Sequence, residues 1–486
     1  RRCVGIVAQD MRTMQVRSFR ADAVVMATGG CGLVFGKSTN SVICNGGAAS
    51  RCYQAGAWYA NPEMIQVHPT AIPGADKCRL MSESARGEGG RVWVPRKKGD
   101  DRKPADIPDD ERYYFLEERY PGYGNLVPRD IATREIFDIC VNDGMGVGGE
   151  NQVYLDLTHK DPEYLTRKLG GILEIYEKFV GDDPRFTPMK IFPAVHYSMG
   201  GLWTTYTPGT HQPESPHPAH SGGMSPPISS DPGQGMAIGA PNNAMTNING
   251  LYAFGEVNFA YHGATRLGAN ALLSCIFDGL YCGAGVVNYV REQADNSAND
   301  VEQGVFDAAV EQERGKIKSL LESATEGGPI DDEVNAYAIG RELGIEMNAA
   351  CTVVKSHDRL EQCRSKLAEL RDRYTRVRLS DSAAWSNQAL SYTRAVGDMI
   401  ELAEIICEGS ISREESRGSH YRTDFPERND ERFHKASVFE RIHGGAERHK
   451  LVWKDVRGGI AEVRARTYGR VAKAEPATKK MAGAAS

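Results

Sequence analysis

Residues 4–20, VGIVAQDMRTMQVRSFR, set two apolar-rich runs either side of a polar middle, which predicts a short hairpin or meander. The run ADAVVMATGG predicts a buried strand over Ala23–Ala27 that closes on Gly29 and Gly30. Paired glycines at a strand end either turn the chain or let backbone approach a ligand closely. From about Glu63 to Val195 the pattern breaks into loops, charges and short helices, and PRKKGDDRKPADIPDDER reads as a solvated insertion. A Pro/Gly/Ser-rich loop across 204–245 precedes a strand predicted over Leu251–Phe254. The stretch HGATRLGANALLSCIFDGL then places His262 and Arg266 on glycine-punctuated backbone, ahead of an apolar run that predicts a buried helix from near Asn270.

Past residue 300 the period is helical. Trp385, Ala389, Tyr392, Val396, Met399, Ala403 and Ile406 recur four and three apart, which predicts a core stripe between antiparallel helices. The charge-dense SREESRGSHYRTDFPERNDERFHK reads as irregular, and the Ala/Lys-rich tail is expected to be disordered beyond about residue 470.

Composition narrows this picture. A chain of 486 residues is too long for one hydrophobic core. Its net charge of −6 points to no nucleic-acid partner. No charge-free apolar run reaches the roughly 18 residues of a membrane helix, so no direct membrane span is expected. The 11 cysteines are odd in number and form no Cys-x-x-Cys pair, which predicts reduced thiols and places any iron–sulfur centre in another chain. His211, His217 and His220 lack a partnering cysteine or a helical spacing, so no metal site is expected there. The opening RRCVGIVAQD has no initiator Met and reads as the inside of a β-rich domain, so the true N-terminus is expected to lie further upstream.

Four further stretches gather polar groups on glycine- or proline-shaped backbone: QVHPT with His68 and Thr70, SESARGEGG with Ser82, Glu83 and Arg86, NLVPRDIATRE with Arg129 and Asp130, and FPAVHYSMGGL with His196. Asp130 is a candidate helix N-cap with Arg129 just outside the helix. Any one of these residues is more often an ordinary hydrogen-bonding group. Together with His262 and Arg266 they supply imidazole, guanidinium and hydroxyl groups suited to a small dianion.

The ordered motifs ATGG, QVHPT, SESARGEGG, PRDIATR, HYSMGGL, GLYAFGE, HGATRLGANALLS and SREESRG resemble those of the flavoprotein subunits of succinate dehydrogenase and fumarate reductase, from residue 1 to about 435. That resemblance implies an α/β chain. A Rossmann-like FAD-binding domain (1–62 and 196–281) would be interrupted by an α+β capping domain (63–195), then followed by a helical domain (282–410) and an irregular C-terminal region (411–486). It makes His68, Ser82, His196 and Arg266 the dicarboxylate-binding set, with Ser82 in place of the usual threonine. Arg129 matches the proton-transfer arginine, and Glu83 with Arg86 matches its relay. An arginine, with a pKa above about 12, is a weak base near pH 7, so the role requires Glu83. Gly29 and Gly30 resemble adenine-side contacts, Glu256 a contact to a flavin hydroxyl, and Ala271 and Leu272 backbone donors near the isoalloxazine, with His262 a flavin-side neighbour.

The implied cofactor is FAD, and iron–sulfur clusters and haem are expected only in partner subunits. Those partners are an iron–sulfur subunit and a membrane-anchor cytochrome b, with the chain peripheral at the cytoplasmic face of the inner membrane. The sequence departs from the family pattern at Gly47, where an acidic flavin contact is usual, and at Thr265, where asparagine is usual. The family's Gly-x-Gly-x-x-Gly segment and the histidine that carries covalent flavin are not found in these residues, which predicts a piece of a longer subunit. Two alternatives stand beside this reading: an L-aspartate oxidase-like soluble flavoenzyme, and an inactive truncated paralogue acting in assembly. The long segments at 95–128 and 204–245 and the extension after 435 favour the respiratory subunit.

Overall fold

The computed structural model describes residues 1–208, 236–324, 330–444, 447–456 and 469–470. The histidines at 211, 217 and 220 and the tail beyond 470 lie outside these residues. The chain forms two compact units. The first comprises residues 1–67, 74–79 and 194–462, and the second 68–73, 80–193 and 463–486.

The chain opens on the predicted hairpin, β1 (Gly5–Gln9) and β2 (Val16–Arg20), with Gly5 opposite Arg20 and Gln9 opposite Val16. Asp10 fixes its turn by accepting the backbone N–H groups of Arg12 and Thr13 at 2.9 and 2.7 Å. β3 (Val24–Met26), α1 (Gly47–Gln54) and β4 (Tyr59–Ala60) follow. β5 (Ile65–Ile72) is buried at every residue and leads into the second unit.

That unit carries β6 (Arg79–Leu80), α2 (Ser84–Gly87), β7 (Arg91–Pro95), β8 (Arg112–Tyr113), α3 (Phe115–Arg119), α4 (Arg129–Phe137), β9 (Val153–Asp156) and α5 (Pro162–Val180), and β10 (Met189–Ser198) returns to the first. β7 lies between β8 and β9, and Met189–Ile191 of β10 extend the antiparallel sheet. Its core packs Trp93, Phe115, Ile136, Leu155 and Leu173. α5 has the ends its sequence dictates. Asp161 accepts the Tyr164 N–H, Pro162 fills the first helical position, and Gly181 turns the chain out at φ 95°. The charged insertion between β7 and β8 is exposed as expected, pinned by the buried Asp100 and Ile107.

Back in the first unit, β11 (Gly201–Leu202) and β12 (Leu251–Ala253) precede α6 (Asn270–Phe277) and α7 (Gly283–Glu292), which are joined by one wide turn over Asp278–Cys282. α8 (Gln303–Ser323), α9 (Ala336–Cys351), α10 (His357–Thr375) and α11 (Gln388–Ser412) form the helical part, in which α9, α10 and α11 pack on one another. The chain closes on α12 (Asp430–Phe433), β13 (Lys435–Arg441) and β14 (His449–Asp455), and the sheet order is β11-β4-β13-β14. Ala389, Val396, Met399, Ala403 and Ile406 of the predicted stripe are buried. Trp385 departs from it: it precedes α11, is 59% exposed, and lies beside the Arg12 guanidinium.

A fully buried charged hub joins distant parts of the first unit. Glu63 accepts Arg413 Nε at 2.6 Å and the Ser437 hydroxyl at 2.8 Å, while its backbone carbonyl accepts Lys355 Nζ at 3.0 Å. Burial pushes Lys355 down to about 8, and its Nζ lies 3.0 Å from Nδ1 of the buried His420.

Candidate active site and flavin-binding residues

In the second unit the site is built on the start of α4. Pro128, at φ −53° and ψ 156°, occupies the cap position, so Arg129 is the first helical residue and Asp130 lies in the first turn. This corrects the expectation that Asp130 caps the helix: proline is already set for the helix start, and the carboxylate instead complements the helix dipole. Arg129 is 8% exposed and grips one oxygen of Glu83, with Nη2 and Nε at 2.8 and 2.9 Å from Oε2. The other oxygen accepts Arg86 Nη2 at 2.8 Å. Arg86, 2% exposed, donates Nη1 to the Asn125 and Val127 carbonyls at 2.7 and 3.1 Å. Two guanidiniums thus share one carboxylate and leave a net positive charge. Burial, and then the Arg129 charge, holds Arg86 below its ordinary pKa against the opposing pull of Glu83.

His68 is fully buried on β5, and the Thr70 N–H donates to its Nδ1 at 3.2 Å, which places the neutral ring's proton on Nε2. The Thr70 hydroxyl donates to the Met81 carbonyl at 2.7 Å. Ser82 is half-buried, and its hydroxyl donates to Ser84 Oγ at 3.1 Å.

In the first unit, β3 and β12 pair in parallel, Val24 beside Leu251 and Met26 beside Ala253, and both run out onto glycine. Beyond β3, Gly29 has φ +73°, and a Cβ on Gly30 would overlap the Glu256 carboxylate. Beyond β12, Gly255 has φ +69° and its N–H donates to Asp278 Oδ2 at 2.6 Å, which presents Glu256. Tyr261 donates its hydroxyl to the other Asp278 oxygen. The Ser198 N–H donates to Glu256 Oε1 at 2.9 Å. Burial nonetheless pushes Glu256 up to about 7, against the Ser198 N–H, the Arg266 charge and the Gly30 N–H.

Arg266 is 4% exposed, with its guanidinium 4.5 Å from the centre of the Tyr197 ring and its carbonyl accepting Gln66 Nε2 at 2.7 Å. His262 stands edge-on to Tyr197 at 5.3 Å, and burial, followed by the Arg266 charge, pushes it down to about 4, so it is neutral at pH 7. His196 Nδ1 lies 2.7 Å from the Thr39 hydroxyl. α6 begins after Ala269, a non-glycine residue at φ +65°, and no side chain caps it. The first-turn N–H groups of Ala271 and Leu272 therefore face outward.

The expectation of a buried helix here is corrected. Of α6 only Ser274 is buried, while Leu272, Leu273 and Ile276 are 70%, 62% and 50% exposed. The run Asn270–Glu292 is long and apolar enough to cross a membrane by length and composition, although the charge-free criterion passes over it. Asp278 is the reason for that difference: it is buried in the fold on Gly255 and Tyr261.

These residues fit FAD. Two strand ends have glycine-opened backbone, the α6 donors are uncapped, and the Tyr197 hydroxyl and His262 Nε2 are buried with no hydrogen-bond partner among the described residues. Tyr197, Thr39, Gln66 and Asp278 were not singled out by sequence. Tyr197, beside His196, Gln66, two residues before His68, and Asp278, in the stretch that follows Arg266, fall within quoted stretches and so carried a signal, whereas Thr39 did not.

Residues 1–272 match the FAD binding domain model, and residues 340–468 match the fumarate reductase flavoprotein C-terminal model. The chain is 48% identical over 470 residues to the succinate dehydrogenase flavoprotein subunit of Bacillus subtilis, covering 97% of this chain and 70% of that protein. It is 31% identical to the fumarate reductase flavoprotein subunit of Escherichia coli, covering 98% and 71%. The FrdA chain of E. coli quinol fumarate reductase superposes with a TM-score of 0.76 at 28% identity, covering 96% and 71%. With an FAD binding domain across its first half and relatives of this kind along nearly its whole length, the chain belongs to the succinate dehydrogenase/fumarate reductase flavoprotein family.

Proposed function

We propose that this chain is the FAD-dependent catalytic subunit of a complex II and interconverts succinate and fumarate. The observation that carries the reading is the Arg129–Glu83–Arg86 chain, in which two buried guanidiniums share one carboxylate that is itself 35% exposed. By the family resemblance, His68, Ser82, His196 and Arg266 are the dicarboxylate ligands. His68 donates its Nε2–H, Ser82 its hydroxyl, and Arg266 a charge kept from water by burial, where it acts more strongly. Gly29, Gly30, Glu256 and the Ala271 and Leu272 N–H groups would hold FAD. Bound FAD supplies the acceptor for a hydride from one succinate methylene.

Arg129 exchanges the proton of the other methylene. Arg86 shares the Glu83 carboxylate with Arg129 and is itself held below its ordinary pKa, by burial first and then by the Arg129 charge. Glu83 carries the proton onward. Electrons pass to an iron–sulfur subunit and through a membrane-anchor cytochrome b to quinone. The iron–sulfur clusters and haem lie in those subunits, and the chain is peripheral at the cytoplasmic face of the inner membrane. The naming of the E. coli relative as a quinol fumarate reductase supports this arrangement.

The aspartate oxidase and assembly readings are not favoured, because the relatives are succinate dehydrogenase and fumarate reductase flavoprotein subunits. Arg129→Gln, with FAD content matched to wild type, is expected to lower succinate turnover by at least about 100-fold, the lower range for loss of an acid–base group. Unchanged turnover would overturn the proton-transfer role.

A further inference from the structure

The helical part of the first unit contains a cluster that the succinate reaction does not use. The sulfurs of Cys351, Cys363 and Cys407 all lie within 4.8 Å of one another, and the three residues are at most 1% exposed. Among the described residues this is the one place where three potential metal-ligand atoms converge. The three thiols come from three different helices: Cys351 is the last residue of α9, Cys363 lies in α10 and Cys407 in α11.

Met347 precedes Cys351 by four positions and so shares its face of α9, and its thioether lies 3.8 Å from Cys363 Sγ. The group is therefore three thiols with a thioether beside them. We propose that Cys351, Cys363 and Cys407 form a buried binding site for a soft monovalent d10 cation, Cu(I), with Met347 flanking it.

Size and charge both favour this ion. A trigonal metal–thiolate site with bonds of about 2.3 Å needs sulfurs about 4 Å apart, which a contraction of less than about 1 Å would reach here. Thiolate and thioether ligands select Cu(I), whereas Zn(II) in a closed site requires a fourth ligand from Cys, His or a carboxylate, a position that a thioether fills poorly. Three thiolates on Cu(I) would carry two net negative charges, of which the buried Lys355 ammonium, whose charge interacts with Cys351, would offset one. Cys351 also closes α9, where the carbonyl end of the helix favours a cation.

The test is an anaerobic titration of the full chain with Cu(I) against a chromogenic Cu(I) chelator, followed by X-ray absorption on the loaded protein. The expected result is one Cu(I) per chain in an all-sulfur first shell. Affinity should fall at least 10-fold in Cys363→Ser and in Cys407→Ser, and stay unchanged in Cys275→Ser, which removes an exposed thiol. Added Cu(I) should raise the thermal midpoint of the wild type but not of Cys363→Ser, so a folding defect in the variant would not mimic loss of the site. Less than one Cu(I) per chain, a nitrogen/oxygen shell, or equal affinity in all three variants would overturn the proposal.

Discussion

Glu256 and His262, both close to Arg266, act on stability in opposite directions over nearly the same pH range. Glu256 has a folded pKa of about 7 against an ordinary 4.5, so between those values the folded state binds more protons and stability falls as pH rises. His262 has a folded pKa of about 4 against 6.5, so the unfolded state binds more protons and stability falls as pH drops through that window. In the wild type the two slopes oppose each other. Glu256→Gln should leave a chain that gains stability from pH 5 to 6.5, and His262→Phe one that loses it. Urea midpoints at pH 5, 6 and 7 measure both, and three superimposable profiles would refute the assignment. At this scale the sequence displayed Arg129, Glu83 and Arg86 through their motifs, and it even placed Arg129 and Asp130 at a helix start. It assigned the cap wrongly because Pro128, rather than the carboxylate, sets the first turn. The stacking of Tyr197 under Arg266 and the bond from Thr39 to His196 left no periodic trace, since residues so far apart along the chain meet only in the fold.

Among the elements, α9 shows how close approach overrides helix propensity. Gly344 lies in its middle, where alanine would ordinarily stabilise by up to about 1 kcal/mol. A Cβ there would stand 2.5 Å from the Gly36 Cα, and Gly36 itself has φ +72°. Gly344→Ala should therefore destabilise by about 1–3 kcal/mol, the usual cost of overpacking, as read by urea unfolding. A stabilised variant would show that α9 can move away from the Gly36 turn at little cost. Elements with a clean period were legible, including the hairpin, the β12 strand and the buried face of α11, whereas β3 forms where the run predicts a strand but is not buried, with Val25 41% exposed. α6 was misread because apolar composition shows that a helix favours burial and says nothing of what covers it. Trp385 matched the spacing of the stripe but lies before Asn387, whose side chain caps α11.

Across the whole molecule, Glu63 ties together segments about 300 to 370 residues apart along the chain. Glu63→Ala would leave the buried Arg413 with Glu415, at 3.2 Å, as its remaining carboxylate and would remove the acceptor of the Ser437 hydroxyl, and loss of these charged hydrogen bonds should cost about 1.5–3 kcal/mol, measurable by urea unfolding. Glu63→Gln combined with Arg413→Met should recover part of that loss, and a double variant no better than the single would count against the charge argument. Composition predicted more than one core, but no local pattern names which segments share such a hub. Ala269 has a further consequence for the folded chain as a whole. A non-glycine residue held in the left-handed region carries a cost of about 1–2 kcal/mol. That cost is borne in every folded molecule, so the first turn of α6 is fixed before any ligand arrives. An acceptor reaching the Ala271 and Leu272 N–H groups meets donors that are already ordered, so its binding does not carry the entropy of ordering them.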